Sequence, residues 1–175
     1  MYRSRLLLVL LLAFVNACRP KTANLKEDLQ LYVDKAILWT ATEEQINKAI
    51  AGVRRDQFVH DELIAELLKP AVSIAWNHTQ ELEKYQPKAP PLQNVHREYV
   101  EAWRAHYLAM AAIADAAEKK DYIQLAKANN DLLEAQRSLV NANADLARLL
   151  HEAGIQQEKP EGEQAPSTSP QKSAL

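Results

Sequence analysis

The sequence predicts an all-α fold, an antiparallel up-down-up-down four-helix bundle with a disordered C-terminal tail. The first observation is composition, since only 3 of the 175 residues are Gly whereas 47% are apolar. Ala and Leu recur along the chain, and this usage favours helices over strands and tight turns. The second observation is that four segments repeat apolar residues with the helical period and are joined by short turns. The length suits a single domain with one core.

Residues that begin or end helices give the expected boundaries. Gly52 and Gly154 are candidate helix stops, and Asp121 is a candidate N-cap. Three prolines between positions 87 and 91 separate the second helix from the third. The expected helices are residues 24–52, 56–86, 91–120 and 121–153, in a bundle domain of residues 23–153 that precedes a tail of residues 154–175. The tail is rich in Pro, Ser, Glu and Gln and offers too few apolar side chains to order itself.

Two positions inside the helices predict interruptions. Pro70 should kink or split the second helix, because proline lacks the backbone N–H and clashes with the preceding turn. Thr42 to Gln45 resembles a capping box, which predicts a break in the first helix near Thr40.

The fourth helix carries a seven-residue apolar repeat. Its seam consists of Leu125, Leu132, Leu139 and Leu146 with Ala128, Ala135, Ala142 and Leu149. Leu133 and Val140 widen this stripe. Three amides then fall inside the apolar arc, and they are Asn129, Gln136 and Asn143. This expected buried ladder has two interpretations: core amides that fix the register of the helices, or a polar site for a ligand.

The third helix carries an inward aromatic face. Trp103, His106 and Tyr107 lie on it, and they would line a cavity together with the amide ladder if the bundle holds a ligand. A cavity of about 300 Å³ or more would favour that alternative, whereas a closed core would favour simple packing.

Histidines at positions 78, 96 and 106 raise the question of a metal or haem site. A di-iron bundle needs Glu-x-x-His pairs, and no Glu here is followed three residues later by His. Covalent haem attachment needs two cysteines, and the chain has one. We therefore expect core or boundary histidines and no metal or haem. Ser73 and Ser138 lack a nucleophile elbow, so we expect no enzyme activity.

The first residues are typical of a secretory signal. Arg3 and Arg5 precede an apolar run of 10 residues, 6–15, which is too short to cross a bilayer, where about 20 are needed. Val15-Asn16-Ala17-Cys18 then resembles the lipobox of bacterial prolipoproteins. That resemblance implies that Cys18 carries a diacylglyceryl group, that residues 1–17 are removed by cleavage after Ala17, and that residues 18–22 form a tether.

The implied partners and location follow from the lipid and the charge. Two or three acyl chains hold a protein durably at a membrane without a transmembrane helix. Arg19 stands where an Asp commonly signals inner-membrane retention, which favours the outer membrane, facing the periplasm. Without Arg3 and Arg5 the 21 basic side chains fall to 19 against 23 acidic ones, a balance of −4. Nucleic acid is therefore not an expected partner.

The residues Pro90-Pro91-Leu92, His96, Tyr99, Val100 and Ala102 resemble a pattern of uncharacterised, lipid-anchored helical-bundle proteins of the bacterial envelope. The resemblance implies a fold and a place without a reaction. We expect a non-catalytic interaction or assembly module with an envelope protein as its partner. The alternative is a periplasmic bundle that binds a small molecule or a haem-like ligand.

Overall fold

The computed structural model describes residues 24–55 and 61–155. The regular structure in that part is helical, with α1 at Leu25–Arg55, α2 at Asp61–Lys84, α3 at Pro90–Lys119 and α4 at Tyr122–Glu152. The predicted all-α class with four helices is confirmed. The predicted signal, lipobox and tether, residues 1–22, lie outside the described residues, as does the predicted tail from residue 156 onward.

The link between α3 and α4 combines a left-handed residue with a side-chain cap. Lys120 has a φ of 56°, and the Asp121 N–H donates to the Ala116 carbonyl at 2.9 Å. This pattern satisfies carbonyls at the end of α3 that have no partner within the helix. The Asp121 carboxylate accepts a hydrogen bond from the Gln124 N–H at 3.0 Å, as predicted for an N-cap.

Gly154 ends α4 as the sequence predicts. Its φ is 68°, a conformation that costs a residue with a Cβ about 1–2 kcal/mol. The N–H of Ile155 donates to the Leu150 carbonyl at 2.9 Å, and Ile155 packs against the buried cluster that includes Leu149 and Leu150. The first two residues assigned to the tail therefore belong to the end of the bundle.

The predicted break in α1 near Thr40, the predicted stop at Gly52 and a split of α2 at Pro70 are wrong. α1 continues through residues 42–45 and through Gly52, because Ile50 is buried beside Gly52 and Val53 packs against the core. α2 continues through Pro70, which has no backbone N–H to donate to the carbonyl of Glu66 one turn earlier, and both residues are exposed. The adjoining Ala71 is buried, so tertiary packing holds the helix on both sides of the proline.

The core follows an alternating spacing of three and four residues in all four helices. The inward positions, buried or half-buried, are Leu29, Tyr32, Ala36, Trp39, Glu43, Ile46 and Ile50 in α1; Leu68, Ala71, Ala75, His78 and Leu82 in α2; Leu92, His96, Tyr99, Trp103, His106, Met110, Ile113 and Ala117 in α3; and the predicted seam in α4. α3 packs most extensively against α4 and α2, whereas α1 packs mainly against α2.

Several large apolar residues of α2 and α4 are exposed, and two of them, Leu133 and Val140, were expected to widen the apolar stripe of α4. Leu63 and Leu67 of α2 are 42% and 44% exposed, and Leu133 and Val140 of α4 are 42% and 67% exposed. The real seams include several alanines, which let the helices approach closely and leave the bulkier neighbours outside. Within residues 24–55 and 61–155, no helix combines the length and the apolar character needed to cross a membrane.

Candidate functional site

The interior of the bundle contains polar side chains at inward positions of three helices. His78 of α2 and His96 and His106 of α3 are only 4%, 6% and 1% exposed. Glu43 of α1 reaches the same layer, with its side chain 20% exposed. Because buried polar groups are costly unless they are paired, their partners determine what the interior can do.

Glu43 joins three helices through one carboxylate oxygen. The Tyr99 hydroxyl donates to Glu43 Oε1 at 2.5 Å, and His78 Nε2 lies 3.2 Å from the same atom. Burial, with a further contribution from the Glu43 charge, raises the pKa of Tyr99 well above its usual value. Tyr99 therefore remains a hydrogen-bond donor throughout the physiological pH range. We call Glu43, His78 and Tyr99 the middle polar site.

The capping box predicted at residues 42–45 placed Glu43 at a helix break, so its role in the core was not predicted. The signal for an inward position was present, since Trp39, Glu43, Ile46 and Ile50 follow the same alternating spacing as the core. The expected capping box obscured it, because a break near Thr40 would have interrupted that spacing. A carboxylate at an inward position predicts partners on the facing helices.

A second polar site lies between α1 and the start of α3. The Tyr32 hydroxyl lies 3.0 Å from His96 Nδ1, and His96 Nε2 lies 3.0 Å from the Leu82 carbonyl oxygen. Because a carbonyl only accepts, Nε2 carries the proton, and Nδ1 then accepts from the Tyr32 hydroxyl. Burial lowers the pKa of His96, against the opposing effect of backbone hydrogen bonds, and this favours the neutral ring.

The same end of the bundle holds a buried carboxylate. Asp28 of α1 is 5% exposed and accepts hydrogen bonds from the Lys88 N–H at 2.7 Å and the Ala89 N–H at 2.8 Å. Ala89 precedes α3 and has no side-chain cap of its own. A side chain of α1 thus satisfies backbone donors at the beginning of α3. We call Asp28, Tyr32 and His96 the end polar site.

Three residues of α3 were expected to line a ligand cavity together, but Tyr107 lies in different surroundings from Trp103 and His106. Trp103 and His106 are buried in contact, with ring centroids 5.0 Å apart. Trp103 also meets His78 edge to face, with centroids 4.7 Å apart. Tyr107 is half-buried and packs instead against Trp76, which is 43% exposed.

The expected buried amide ladder is wrong. Asn129 and Asn143 are exposed and Gln136 is half-buried. Asn129 Nδ2 donates to the Leu125 carbonyl of its own helix at 3.0 Å, which is a local bond at the surface. The error follows from Leu133 and Val140, whose exposure makes the apolar arc of α4 narrower than expected.

The larger clefts described here do not involve the expected cavity residues. One, of about 320 Å³, lies beside the turn between α2 and α3, and its lining includes His96, Arg97 and Arg104. Another of about 320 Å³ lies between α3 and α4, where Glu98, Glu101, Ser138 and Asn141 are among its lining residues. A cavity of about 30 Å³, roughly the volume of one water molecule, lies between α1, α3 and α4.

No family model, curated protein or solved structure matches this chain. Within the two described ranges, no three His, Cys, Asp or Glu side chains are grouped so that they could hold a metal ion.

Proposed function

We propose that the protein is a lipid-anchored, non-catalytic interaction or assembly module of the bacterial cell envelope. In this proposal residues 1–17 are removed, Cys18 carries the lipid, and the domain is held at a membrane, with the periplasmic face of the outer membrane preferred. The lipobox resemblance supports the anchor. The balance of −4 after the leader supports a protein partner rather than a nucleic acid.

The pairing of buried polar side chains supports the proposal that the protein is not a catalyst. The polar atoms of Tyr32, His96 and Asp28 are paired with one another or with backbone groups, and Glu43 is engaged by Tyr99 and His78. These bonds connect helices, so they account for Asp28, Tyr32, Glu43, His96 and Tyr99 as supports of the fold. The surface then remains as the part that recognises other molecules.

We also propose the antiparallel up-down arrangement of the bundle. Contacts between α2 and α3 support it. Residues near the end of α2 contact residues near the middle of α3, and residues earlier in α2 contact residues later in α3, as expected for antiparallel helices. The pairs are Glu83 with Arg104, His78 with Trp103, Trp76 with Tyr107, and Lys69 with Glu118. Short connections between consecutive helices suit the same topology.

A pull-down from the native membrane tests the proposed function. The lipidated protein is expressed in its own host, crosslinked, solubilised in detergent and purified, and co-purifying proteins are identified by mass spectrometry. A Cys18→Ala variant is the matched control. We expect an envelope protein that is recovered reproducibly with the lipidated form and lost with the control. Recovery of the same proteins with both forms would contradict a role for the anchor.

The cleft beside the α2–α3 turn supports a second candidate, a small-molecule-binding bundle. Its volume of about 320 Å³ is at the small end of ligand pockets. Arg97 and Arg104 lie in its lining, although Arg104 already donates to Glu83 at 2.6 Å. Native mass spectrometry of protein purified from its host tests this candidate. A bound small molecule that is lost on Arg97→Ala would favour ligand binding over the interaction module.

A further inference from the structure

We infer that one face of α1, formed by Leu31, Lys35 and Leu38, lies against the lipid surface of the membrane that holds the Cys18 anchor. This inference rests on the proposed function, because it needs the lipid at Cys18. It assigns a membrane-contacting surface to the folded domain in addition to the covalent lipid.

The length of chain before α1 limits the distance of this face from the membrane. Only residues 19–24 separate Cys18 from Leu25, the first residue of α1. Fully extended, seven residue steps span at most about 25 Å. α1 itself has 31 residues and is therefore about 46 Å long. The first turns of α1 thus cannot move far from the bilayer surface.

The side chains on this face suit a lipid surface. Leu31 and Leu38 are 51% and 67% exposed, and they lie seven residues apart, so they share one side of α1. Asp34 and Lys35 are both exposed between them on the same side, so the face carries one charge of each sign. A lysine at that position can lay its methylene stem along the apolar surface and reach phosphate groups with its ammonium. Leu29 and Tyr32 are buried on the other side, so the contact leaves the core unchanged.

The charges near this face indicate that apolar contact, rather than attraction to anionic lipid, provides the binding. Lys26 and Lys35 are balanced by Glu27 and Asp34 in the same part of α1. Two leucines alone would give weak binding, but the tether makes the contact intramolecular and so raises its effective concentration. We therefore expect the contact to persist in neutral phosphatidylcholine and at high salt.

A fluorescent label that is quenched by lipid tests the inference on the full lipidated chain. Because Cys18 is the only cysteine and is acylated in the proposal, one added cysteine supplies a single free thiol. Leu31→Cys and Leu38→Cys are labelled with an environment-sensitive fluorophore and reconstituted into phosphatidylcholine vesicles with or without nitroxide-labelled lipid. Leu133→Cys and Val140→Cys on α4 are matched controls, since those residues have the same spacing and similar exposure.

We expect nitroxide lipid to lower the fluorescence about twofold at positions 31 and 38, at low and high salt, and to leave positions 133 and 140 nearly unchanged. No quenching on α1, or equal quenching on α1 and α4, would overturn the inference. The intact mass of the same samples reports the lipid separately. An unmodified Cys18 would refute the proposed function, whereas a lipidated protein without quenching at position 38 would refute the lipid-facing surface alone.

Discussion

The two polar sites of the core differ in the kind of partner that each group has. In the end polar site, Asp28 bonds two backbone N–H groups and His96 bonds a backbone carbonyl. In the middle polar site, Glu43, His78 and Tyr99 meet only through side chains from three helices. Backbone groups cannot move to a new partner without moving a helix end, whereas side chains can change rotamer. The end site should therefore tolerate substitution less well than the middle site.

The largest effect is expected at Asp28. Asp28→Ala leaves the N–H groups of Lys88 and Ala89 without their acceptor at a largely buried helix start, and we expect a loss of about 3 kcal/mol in the free energy of unfolding. Chemical denaturation followed by circular dichroism measures it. Asp34→Ala, which removes an exposed aspartate of the same helix, is the control and should change stability by less than about 0.5 kcal/mol. Equal effects of the two substitutions would show that Asp28 does not support α3.

A smaller loss is expected at Glu43. Glu43→Gln retains an acceptor for the Tyr99 hydroxyl but removes the charge beside His78, so we expect a loss of about 1–2 kcal/mol. The adjacent Glu44 offers a matched control, because its exposed carboxylate pairs only with Lys48 across one helical turn. Glu44→Gln should cost less than about 0.5 kcal/mol in the same denaturation assay. A loss at Glu43 larger than that at Asp28 would reverse the ranking of the two sites.

The free energy of unfolding should depend on pH through His96. Burial lowers the pKa of folded His96, so below about pH 6.5 the unfolded chain binds more protons at this residue than the folded chain. His96 therefore contributes full stability above that pH, and the contribution is lost as the pH falls through the lowered pKa of the folded state.

Denaturation of the wild type and His96→Gln between pH 7.5 and 5.0 checks this dependence. As the pH falls, the free energy of unfolding of the variant should decline less steeply than that of the wild type. The two slopes should differ by at most about 1.4 kcal/mol per pH unit, the value for one proton. His151→Gln, at an exposed histidine of α4, should keep the wild-type slope. Identical slopes for wild type and His96→Gln would contradict a neutral buried ring.

The smallest effects are expected at the two described glycines. Substitution by alanine should change the free energy of unfolding in opposite directions at these two positions. Gly154 has a φ of 68°, so Gly154→Ala should lower the free energy of unfolding by about 1 kcal/mol. Gly52 is an exposed helical residue with no atom within 4 Å of an added Cβ, so Gly52→Ala should raise it by about 0.5–1 kcal/mol. Thermal unfolding of both variants measures the difference. A gain at Gly154 would contradict its role as the end of α4.

Much of the fold could be predicted from periodicity, because the bundle buries one stripe of each helix. The seam of α4 and the aromatic face of α3 were expected with nearly the right members. The errors at Gly52 and at residues 42–45 and the expected split at Pro70 share one cause, since local signals for helix ends were outweighed by the packing of neighbouring residues such as Ile50 and Ala71. Propensity acts locally, whereas a helix 31 residues long is held by its contacts with other helices.

The polar sites were less accessible to sequence reasoning. His96 and His106 were expected as core or boundary histidines, but their partners depend on how the helices meet in space. The amide ladder failed because the size of Leu133 and Val140 suggested burial, although Ala128, Ala135 and Ala142 form the closer contact. The inward position of Glu43 could be predicted from its spacing alone. The role of Asp28 could not be predicted, because its partners are backbone groups 60 and 61 residues away.

The central claim is that a lipid on Cys18 holds this bundle at a membrane, and the intact mass of the mature protein tests it most directly. The protein is purified in detergent from the membrane of its host, and its N-terminus is sequenced by mass spectrometry. We expect a chain that begins at Cys18 and carries a diacylglyceryl group, and we expect that form to be absent from Cys18→Ala. A mature chain that begins at another residue, or an unmodified thiol at Cys18, would contradict it.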